Sequence, residues 1–219
     1  MKTILIILFL TLFYCMDAQM VSTPIKYLAL GDSYTIGESV SEPERWPNQL
    51  VDSMAKKGIQ IGKPTIIATT GWCTDDLRNA MNNAHLKNEY ELVSLLIGVN
   101  NQYQGKSSSI YASEFEELLK WAVQLARGKK QRVFVVSIPD YGFTPFGKPK
   151  QGEISKAIDE FNEINAQITY KYGIRYFNIT DISRDGLSDP SWIATDGLHP
   201  SGKMYAHWVE LISKGLDIH

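Results

Sequence analysis

The sequence predicts an α/β fold in which helices cover both faces of a five-stranded parallel sheet, giving a three-layer sandwich. Five apolar runs alternate along the chain with longer segments of helical periodicity, and such alternation produces parallel strands joined by right-handed crossovers. The apolar runs are nearly continuous, as in strands that are covered on both faces. Because 219 residues contain no linker, repeat or low-complexity segment, we expect one domain after the first residues.

Five apolar segments are predicted to be strands, and each ends at residues that favour a turn. The first ends at Gly31, the second leads into Gly71, the third ends at Gly98 and the fourth ends at Pro139. The predicted strands are Ile25–Leu30, Thr65–Ala68, Leu92–Ile97, Arg132–Ile138 and Ile174–Ile179.

Five further segments place apolar residues at helical spacing and are predicted to be helices. The clearest pattern is a stripe from Phe115 to Ala126, which stops at Gly128. The predicted helices are Glu44–Lys57, Asp75–Asn82, Ser113–Arg127, Glu153–Tyr172 and Ser201–Lys214, of which the second has the weakest pattern.

Residues 1–18 are interpreted as a secretory signal peptide. Lys2 precedes an apolar run from Ile4 to Tyr14, and Ala18 provides a small residue at a plausible cleavage site. The run is too short for a membrane span, which needs about 20 apolar residues. We therefore expect a mature domain over residues 19–219, exported to the periplasm or the outside of the cell, with no stable membrane insertion.

Two alternatives stay open for the first residues. One is a lipoprotein signal that ends at Cys15, which is disfavoured because the preceding residue, Tyr14, is not small; the other is an uncleaved anchor. Cleavage after Ala18 would remove one of the two cysteines of the chain. Cys73 would then have no partner for an intramolecular disulfide.

Composition argues against several classes of function. With 44% hydrophobic and 21% charged residues, the sequence is typical of a globular protein rather than a disordered one. The net charge is -2, and the cluster of Lys129, Lys130 and Arg132 is expected to be a solvated turn, so no nucleic-acid partner is predicted. We find no spacing typical of metal ligands and no phosphate-binding glycine motif, and we expect neither a metal nor a cofactor.

Four short pieces of sequence follow predicted strands or lie in a late loop, and together they would build a hydrolase site. Open α/β sheets bind ligands at the edge formed by the carboxyl ends of the strands, where these pieces would meet. They are Gly31-Asp32-Ser33, then Gly71, then Gly98-Val99-Asn100-Asn101, then Asp196-Gly197-Leu198-His199-Pro200.

Acyl transfer by serine needs a nucleophile, a base, a group that orients the base, and donors for the oxyanion. Ser33 alone would be interpreted as a turn serine, but the other pieces favour a nucleophile. Asp196 and His199 are spaced so that a loop can turn the carboxylate onto one ring nitrogen, which leaves the other nitrogen for the serine proton. Asp32 is expected to bond to local backbone, and Cys73 is expected to be a passive thiol.

These pieces, in this order, resemble the SGNH, or GDSL, hydrolase family over nearly the whole mature chain. The resemblance implies that Ser33 is the nucleophile, that Asp196 and His199 complete the triad, and that the flavodoxin-like strand order is 2-1-3-4-5. It also implies an oxyanion hole formed by Ser33, Gly71 and Asn100. The third piece departs from the frequent Gly-x-Asn-Asp pattern, because Asn101 follows the donor.

The expected activity is hydrolysis of short-chain acyl esters, with acetyl esters of carbohydrates the preferred class, by a monomer. Asn101, Tyr141 and Phe143 are candidate substrate contacts, and Phe146 lies in the same aromatic loop. The alternatives are a lysophospholipase or thioesterase, an acyltransferase on the same fold, and a glycan-binding module without turnover. An intact Asp-x-x-His pair argues against the last of these.

Overall fold

Five parallel strands form the central sheet in the order β2-β1-β3-β4-β5 in the computed structural model, which describes residues 23–218. The α/β class and the flavodoxin-like order predicted from the sequence are both confirmed. The predicted signal peptide lies outside the described residues. The strands are β1 (Tyr27–Gly31), β2 (Thr65–Ala68), β3 (Leu92–Leu96), β4 (Val133–Val136) and β5 (Arg175–Phe177).

The register of the first three strands places their carboxyl ends level with one another. Gly31, the last residue of β1, lies opposite Ala68 at the end of β2 and opposite Leu96 at the end of β3. The segments that follow these three strands therefore leave the sheet at the same edge. These segments contain the first three of the four pieces singled out in the sequence.

Within residues 23–218, eight α-helices connect and flank the strands. α1, α4 and α7 were not predicted, because four or five residues are too few to show a helical period. α5 begins five residues before its predicted start, and the Ser107 side chain caps it by accepting the N–H of Ile110. The helices are α1 (Ser33–Ile36), α2 (Trp46–Ala55), α3 (Thr74–Asn83), α4 (Val99–Tyr103), α5 (Ser108–Leu125), α6 (Gln151–Lys171), α7 (Thr180–Ser183) and α8 (Gly202–Gly215).

The longer helices form two groups. α2 packs against α8, while α5 packs against α3 and α6. Every residue of β1, β3 and β4 is buried, so the sheet is covered on both faces and the core lies on either side of it. Trp46 of α2 reaches the sheet, and its ring meets that of Phe134 edge-on at 6.4 Å. In the part of the chain that the structure describes, no helix is both long and apolar enough to cross a membrane.

Candidate active site

A pocket of about 180 Å³ lies at the carboxyl edge of the sheet, and residues from all four pieces line it. Ser33, Gly71 and Asn100, which are far apart in the sequence, meet there because of the strand register, and His199 reaches the same pocket from a late loop. The full lining is Ser33, Tyr34, Thr70, Gly71, Val99, Asn100, Tyr103, Tyr141, Phe146, Leu198 and His199.

Ser33 is the first residue of α1 and sits two residues beyond the end of β1. Asp32 precedes it in an extended conformation and caps the helix, because its Oδ1 accepts the N–H of Tyr34 at 3.1 Å. Gly37 ends the helix and donates its N–H to the Ser33 carbonyl. The sharp turn from strand to helix therefore fixes the Ser33 backbone from both sides and leaves its side chain at the pocket.

His199 and Asp196 are joined by a hydrogen bond of 2.6 Å between Nδ1 and the carboxylate Oδ2. The other carboxylate oxygen accepts the backbone N–H groups of Leu198 and His199, each at 2.9 Å. His199 is only 7% exposed and lines the pocket, so its remaining nitrogen, Nε2, is the one available for proton transfer. The spacing predicted this orientation of carboxylate and imidazole.

The Asp196 carboxylate is strongly stabilised in its charged form. Partial burial acts to raise its pKa, but the hydrogen bonds from Ser39, from the Leu198 and His199 backbone and from the His199 ring outweigh it and hold the pKa well below its usual range. The carboxylate therefore remains ionised wherever the imidazole can work as a base.

Gly71 and Asn100, the two predicted oxyanion donors besides Ser33, both line the pocket. Gly71 follows β2 with φ at 85°, a backbone conformation that favours glycine. Asn100 lies in the first turn of α4, and its Nδ2 donates to the Trp72 carbonyl at 3.0 Å. That bond uses one of the two N–H groups of the amide and fixes the direction of the other.

Gly98 joins β3 to α4, with φ at 134°. A Cβ at this position would lie 2.6 Å from a ring carbon of Tyr111 and 2.8 Å from the terminal methyl of Ile138. Only glycine fits here, and the close approach lets Asn100 follow the strand directly.

Asn101 does not line the pocket, which corrects the prediction that it contacts substrate. Its side chain is fully buried, where Oδ1 accepts the N–H of Thr74 at 3.1 Å and Nδ2 donates to the Thr74 hydroxyl at 2.6 Å. These bonds tie α4 to the start of α3. An amide can both donate and accept here, whereas a carboxylate could only accept.

The aromatic loop contributes Tyr141 and Phe146 to the pocket but not Phe143, which corrects a second predicted contact. Tyr141 and Phe143 belong to one 3₁₀ turn (Tyr141–Phe143), and residues of such a turn point in different directions. Tyr141 is held by a hydrogen bond from its hydroxyl to Gln102 Oε1 at 2.9 Å.

Three apolar or aromatic lining residues were missed by sequence reasoning: Tyr34, Tyr103 and Leu198. Leu198 lies inside the fourth piece and both tyrosines lie within three residues of a motif residue, so proximity in the sequence was a signal that could have found them. The Tyr34 ring lies 5.5 Å from that of His199, centroid to centroid, and forms part of the wall behind the imidazole.

Asp32 is fully buried beside the nucleophile. Burial is the main influence on its carboxyl group and raises the pKa to about 7, although backbone N–H groups, including those of Tyr34 and Gly98, act in the opposite direction. Its place at the helix cap agrees with the structural role predicted for it. Asp196, and not Asp32, touches the imidazole.

Cys73 lies with Asp75 and Asp76 in a group whose candidate ligand atoms are within 4.8 Å of one another, the one such group found among residues 23–218. Lys106 binds Asp75 at 2.6 Å and so neutralises part of the acidic charge. Burial raises the pKa of the Cys73 thiol, which favours its unreactive form. Both observations favour a Cys73 thiol that takes no part in the chemistry of the site.

Comparison with known protein families agrees with the pocket, the acid–base pair and the strand order. The GDSL-like lipase/acylhydrolase family profile matches residues 29–207, so the chain belongs to that family. It is a carboxylic-ester hydrolase.

A curated relative and several solved structures are similar over most of their length. An arylesterase from Vibrio mimicus is 22% identical over 218 residues, which cover 97% of this chain and 98% of the relative. The crystal structure of TesA matches with a TM-score of 0.70 at 14% identity, covering 88% of this chain and 98% of TesA. Axe2, an acetylxylan esterase from Geobacillus stearothermophilus, matches with a TM-score of 0.66 at 16% identity, covering 89% and 95%. These structural similarities show a shared fold.

The raised pKa of Asp32 predicts a pH-dependent stability. The folded protein keeps the Asp32 proton up to a pH of about 7, whereas the unfolded chain releases it near 3.8, so the folded state binds more protons between these values. Asp32 therefore makes the free energy of unfolding fall as pH rises through this interval, with a slope that approaches about 1.4 kcal/mol per pH unit. Asp32→Asn should remove that part of the slope in denaturant titrations at several pH values.

Asp52→Asn provides the matched control, because it replaces the same kind of carboxyl group on the exposed face of α2. The difference in unfolding free energy between wild type and Asp32→Asn should change with pH from 4 to 7, roughly the range set by the shift. A constant difference across that range would contradict the buried-carboxyl interpretation.

Asn100 and Asn101 provide a matched pair for the site, because neighbouring asparagines have different contacts. Asn100→Ala should lower kcat by roughly 10²–10³, as loss of an oxyanion donor does, with little change in KM. Asn101→Ala should instead lower the melting temperature, because it leaves the buried Thr74 groups without their partner. Steady-state kinetics and thermal unfolding of both variants measure this. Equal effects of the two variants on kcat would contradict the assignment.

Proposed function

We propose that the protein is an exported serine esterase that removes short acyl groups, above all acetyl groups, from carbohydrate esters through an acyl-enzyme. The observation that carries this proposal is one pocket lined by Ser33, Gly71, Asn100 and His199, with Asp196 bound to the imidazole. Each group that acyl transfer by serine requires is present there.

The reaction begins when Ser33 Oγ attacks the carbonyl carbon of the ester and His199 Nε2 accepts the Ser33 proton. Asp196 holds Nδ1 and stabilises the imidazolium that forms. The carbonyl then reforms, the alcohol leaves with the proton from His199, and the acyl group stays on Ser33. Water repeats the attack with His199 as base, and the acid is released.

The negative charge of each tetrahedral intermediate falls on the former carbonyl oxygen. The backbone N–H groups of Ser33 and Gly71 and the free N–H of the Asn100 amide are the donors for it. They are fixed before the charge develops, by the turn after β1, by the turn after β2 and by the bond to the Trp72 carbonyl. Donors that need no reorganisation stabilise the transition state more than the ground state.

The shape of the pocket supports a small acyl group. Its walls are largely apolar, with Val99, Leu198 and the four aromatic rings of Tyr34, Tyr103, Tyr141 and Phe146, and its volume is about 180 Å³. An acetyl or butyryl chain can bury its few carbons there, at about 0.8 kcal/mol for each CH₂.

The alcohol part of the ester has room in a groove of about 420 Å³ beside the pocket. Tyr103, Tyr141 and Phe146 line both spaces, and the groove adds polar side chains, among them Gln102, Lys150 and Glu153. Ring faces beside hydrogen-bonding groups suit a sugar, which has an apolar face and hydroxyl edges. The structural similarity to an acetylxylan esterase adds support.

A lipolytic activity is the second candidate, because the residues Tyr103 and Phe146 are 60% and 51% exposed. An exposed apolar surface next to the pocket could accept a longer acyl chain. The charged groups of the adjoining groove argue against it, because Lys150 and Glu153 would lose solvation against an alkyl chain.

Ser33→Ala should abolish hydrolysis of p-nitrophenyl acetate and leave thermal unfolding unchanged, because only the attacking oxygen is lost. A serine-directed phosphonate should label Ser33 in the wild-type protein and label nothing in the variant, as measured by mass spectrometry of peptides. Cys73→Ala is the control, since it removes the free thiol found among residues 23–218 and should keep both labelling and turnover. An active, labelled Ser33→Ala variant would refute the proposed nucleophile.

The acyl preference is measured as kcat/KM across p-nitrophenyl esters of increasing chain length. We expect a maximum between acetyl and butyryl and a decline beyond it, because longer chains must leave the small pocket. Phe146→Ala is the matched variant: it shortens the wall and should shift the maximum to longer chains. A steady rise beyond octanoyl in the wild type would favour the lipolytic candidate instead.

We also propose export with cleavage after Ala18, on the basis of the short apolar run and the small residue that follows it. Mass spectrometry of protein recovered outside the cytoplasm should find Gln19 at the N-terminus. Ala18→Phe is the control and should block that cleavage, because signal cleavage requires a small residue. An intact Met1, or a lipid on Cys15, would contradict the proposal.

A further inference from the structure

We infer that Glu38 and Ser39 are positioning residues that join the nucleophile's turn to two other parts of the site: Ser39 orients Asp196, and Glu38 orients the Thr70–Gly71 turn. Neither residue belongs to the four pieces of sequence described above. The inference rests on the proposed function, because it assigns roles to contacts of the proposed catalytic groups.

The backbone just before Ser39 is hydrogen-bonded to the nucleophile, Ser33. The N–H groups of Gly37 and Glu38 both donate to the Ser33 carbonyl, the second at 3.0 Å. The backbone of Glu38 is therefore held to the end of α1. From there the Ser39 side chain reaches Asp196 and the Glu38 side chain reaches Thr70.

Ser39 contacts the acid of the acid–base pair. Its Oγ donates at 2.7 Å to Asp196 Oδ2, the same oxygen that binds His199 Nδ1 at 2.6 Å. The bond spans 157 positions of sequence. Together with the Leu198 and His199 N–H groups on Oδ1, it holds the carboxylate in the plane that the imidazole needs, and it contributes to the low pKa of Asp196.

The backbone of Ser39 indicates that its side chain is needed. Its φ is 63°, in the left-handed region that serine adopts at a cost of roughly 1–2 kcal/mol and glycine adopts freely. Stability alone would favour glycine at this position. Serine differs from glycine here by its hydroxyl group, and that hydroxyl donates to Asp196.

Glu38 contacts the other side of the pocket. Its carboxylate accepts the hydroxyl hydrogen of Thr70, which lines the pocket and immediately precedes Gly71. The turn is closed by the Trp72 N–H, which donates to the Thr69 carbonyl at 3.3 Å. Holding Thr70 fixes the peptide that carries the Gly71 N–H, the proposed oxyanion donor.

The two contacts predict separate kinetic effects. Loss of the Ser39 hydroxyl leaves more negative charge on the carboxylate that faces the imidazolium, so protonation of the imidazole becomes easier. Loss of the Glu38–Thr70 bond loosens a donor that acts only when charge develops, so it lowers kcat and leaves KM in place.

Ser39→Gly tests the first contact, because glycine keeps the backbone conformation and removes only the hydroxyl. With p-nitrophenyl acetate we expect kcat to fall about tenfold, KM to stay constant, and the acid limb of the pH–rate profile to move to higher pH. Ser39→Asn, which also tolerates this conformation and can donate from its amide, should recover part of kcat. An unchanged kcat, or a loss with no movement of the acid limb and no recovery in Ser39→Asn, would overturn the role of Ser39.

A double-mutant cycle of Glu38→Ala and Thr70→Val tests the second contact. Each single variant should lower kcat about fivefold at constant KM, and the double variant should lose no more than either one, because both remove the same bond. Glu38→Gln keeps an acceptor oxygen and should lose less than Glu38→Ala. Additive losses, or an effect confined to KM, would overturn the role of Glu38.

Ser33→Ala separates failure of this inference from failure of the proposed function. If Ser33→Ala retains turnover, the proposed esterase mechanism is wrong and the inference falls with it. If Ser33→Ala is inactive while Ser39→Gly and Thr70→Val keep wild-type kcat and pH dependence, the mechanism stands and the positioning roles are wrong.

Discussion

The register of β1 between its two neighbours is the constraint on which the site depends. Gly31 lies level with Ala68 and Leu96. The segments that carry Ser33, Gly71 and Asn100 therefore all leave the sheet at the same edge. A shift of one residue in either pairing would move a donor by about 3.3 Å and would turn the side chains of the strand to the opposite face. The buried strands oppose such a shift, so the core that stabilises the fold also aligns the reacting groups.

Two carboxylates near the nucleophile have opposite electrostatic environments, and this difference separates their roles. Asp32 is buried, its pKa is raised to about 7, and its Oδ1 accepts a backbone N–H at the cap of α1. Asp196 is partly exposed and accepts four hydrogen bonds, which keep its pKa well below the usual range. Only Asp196 combines a stable negative charge with contact to the imidazole, so proximity in sequence to Ser33 is a poor guide to the acid.

The sequence predicted the parts of this architecture that repeat along the chain or depend on local chemistry. Apolar runs located all five strands, and the Asp196–His199 spacing located the acid–base pair. Asn101 was misassigned because its partner, Thr74, lies 27 positions away, and a contact over that distance cannot be recognised from the residues around Asn101. Phe143 was misassigned because only the direction of a 3₁₀ turn decides which ring faces the pocket. Contacts between distant loops, and the rotation of side chains within short turns, cannot be obtained from periodicity.

The loop that carries Asp196 and His199 differs from the other three parts of the site, because it does not begin at the end of a strand. β5 ends at Phe177, and the loop is located by hydrogen bonds instead: Ala194 donates to the His199 carbonyl at 2.8 Å, and Phe146 donates to the Gly197 carbonyl at 3.0 Å. The sheet therefore places the nucleophile and the oxyanion donors, while individual bonds place the acid and the base. Since single bonds are weaker restraints than a buried sheet, substitutions in this loop or its partners can change the reaction geometry without unfolding the protein.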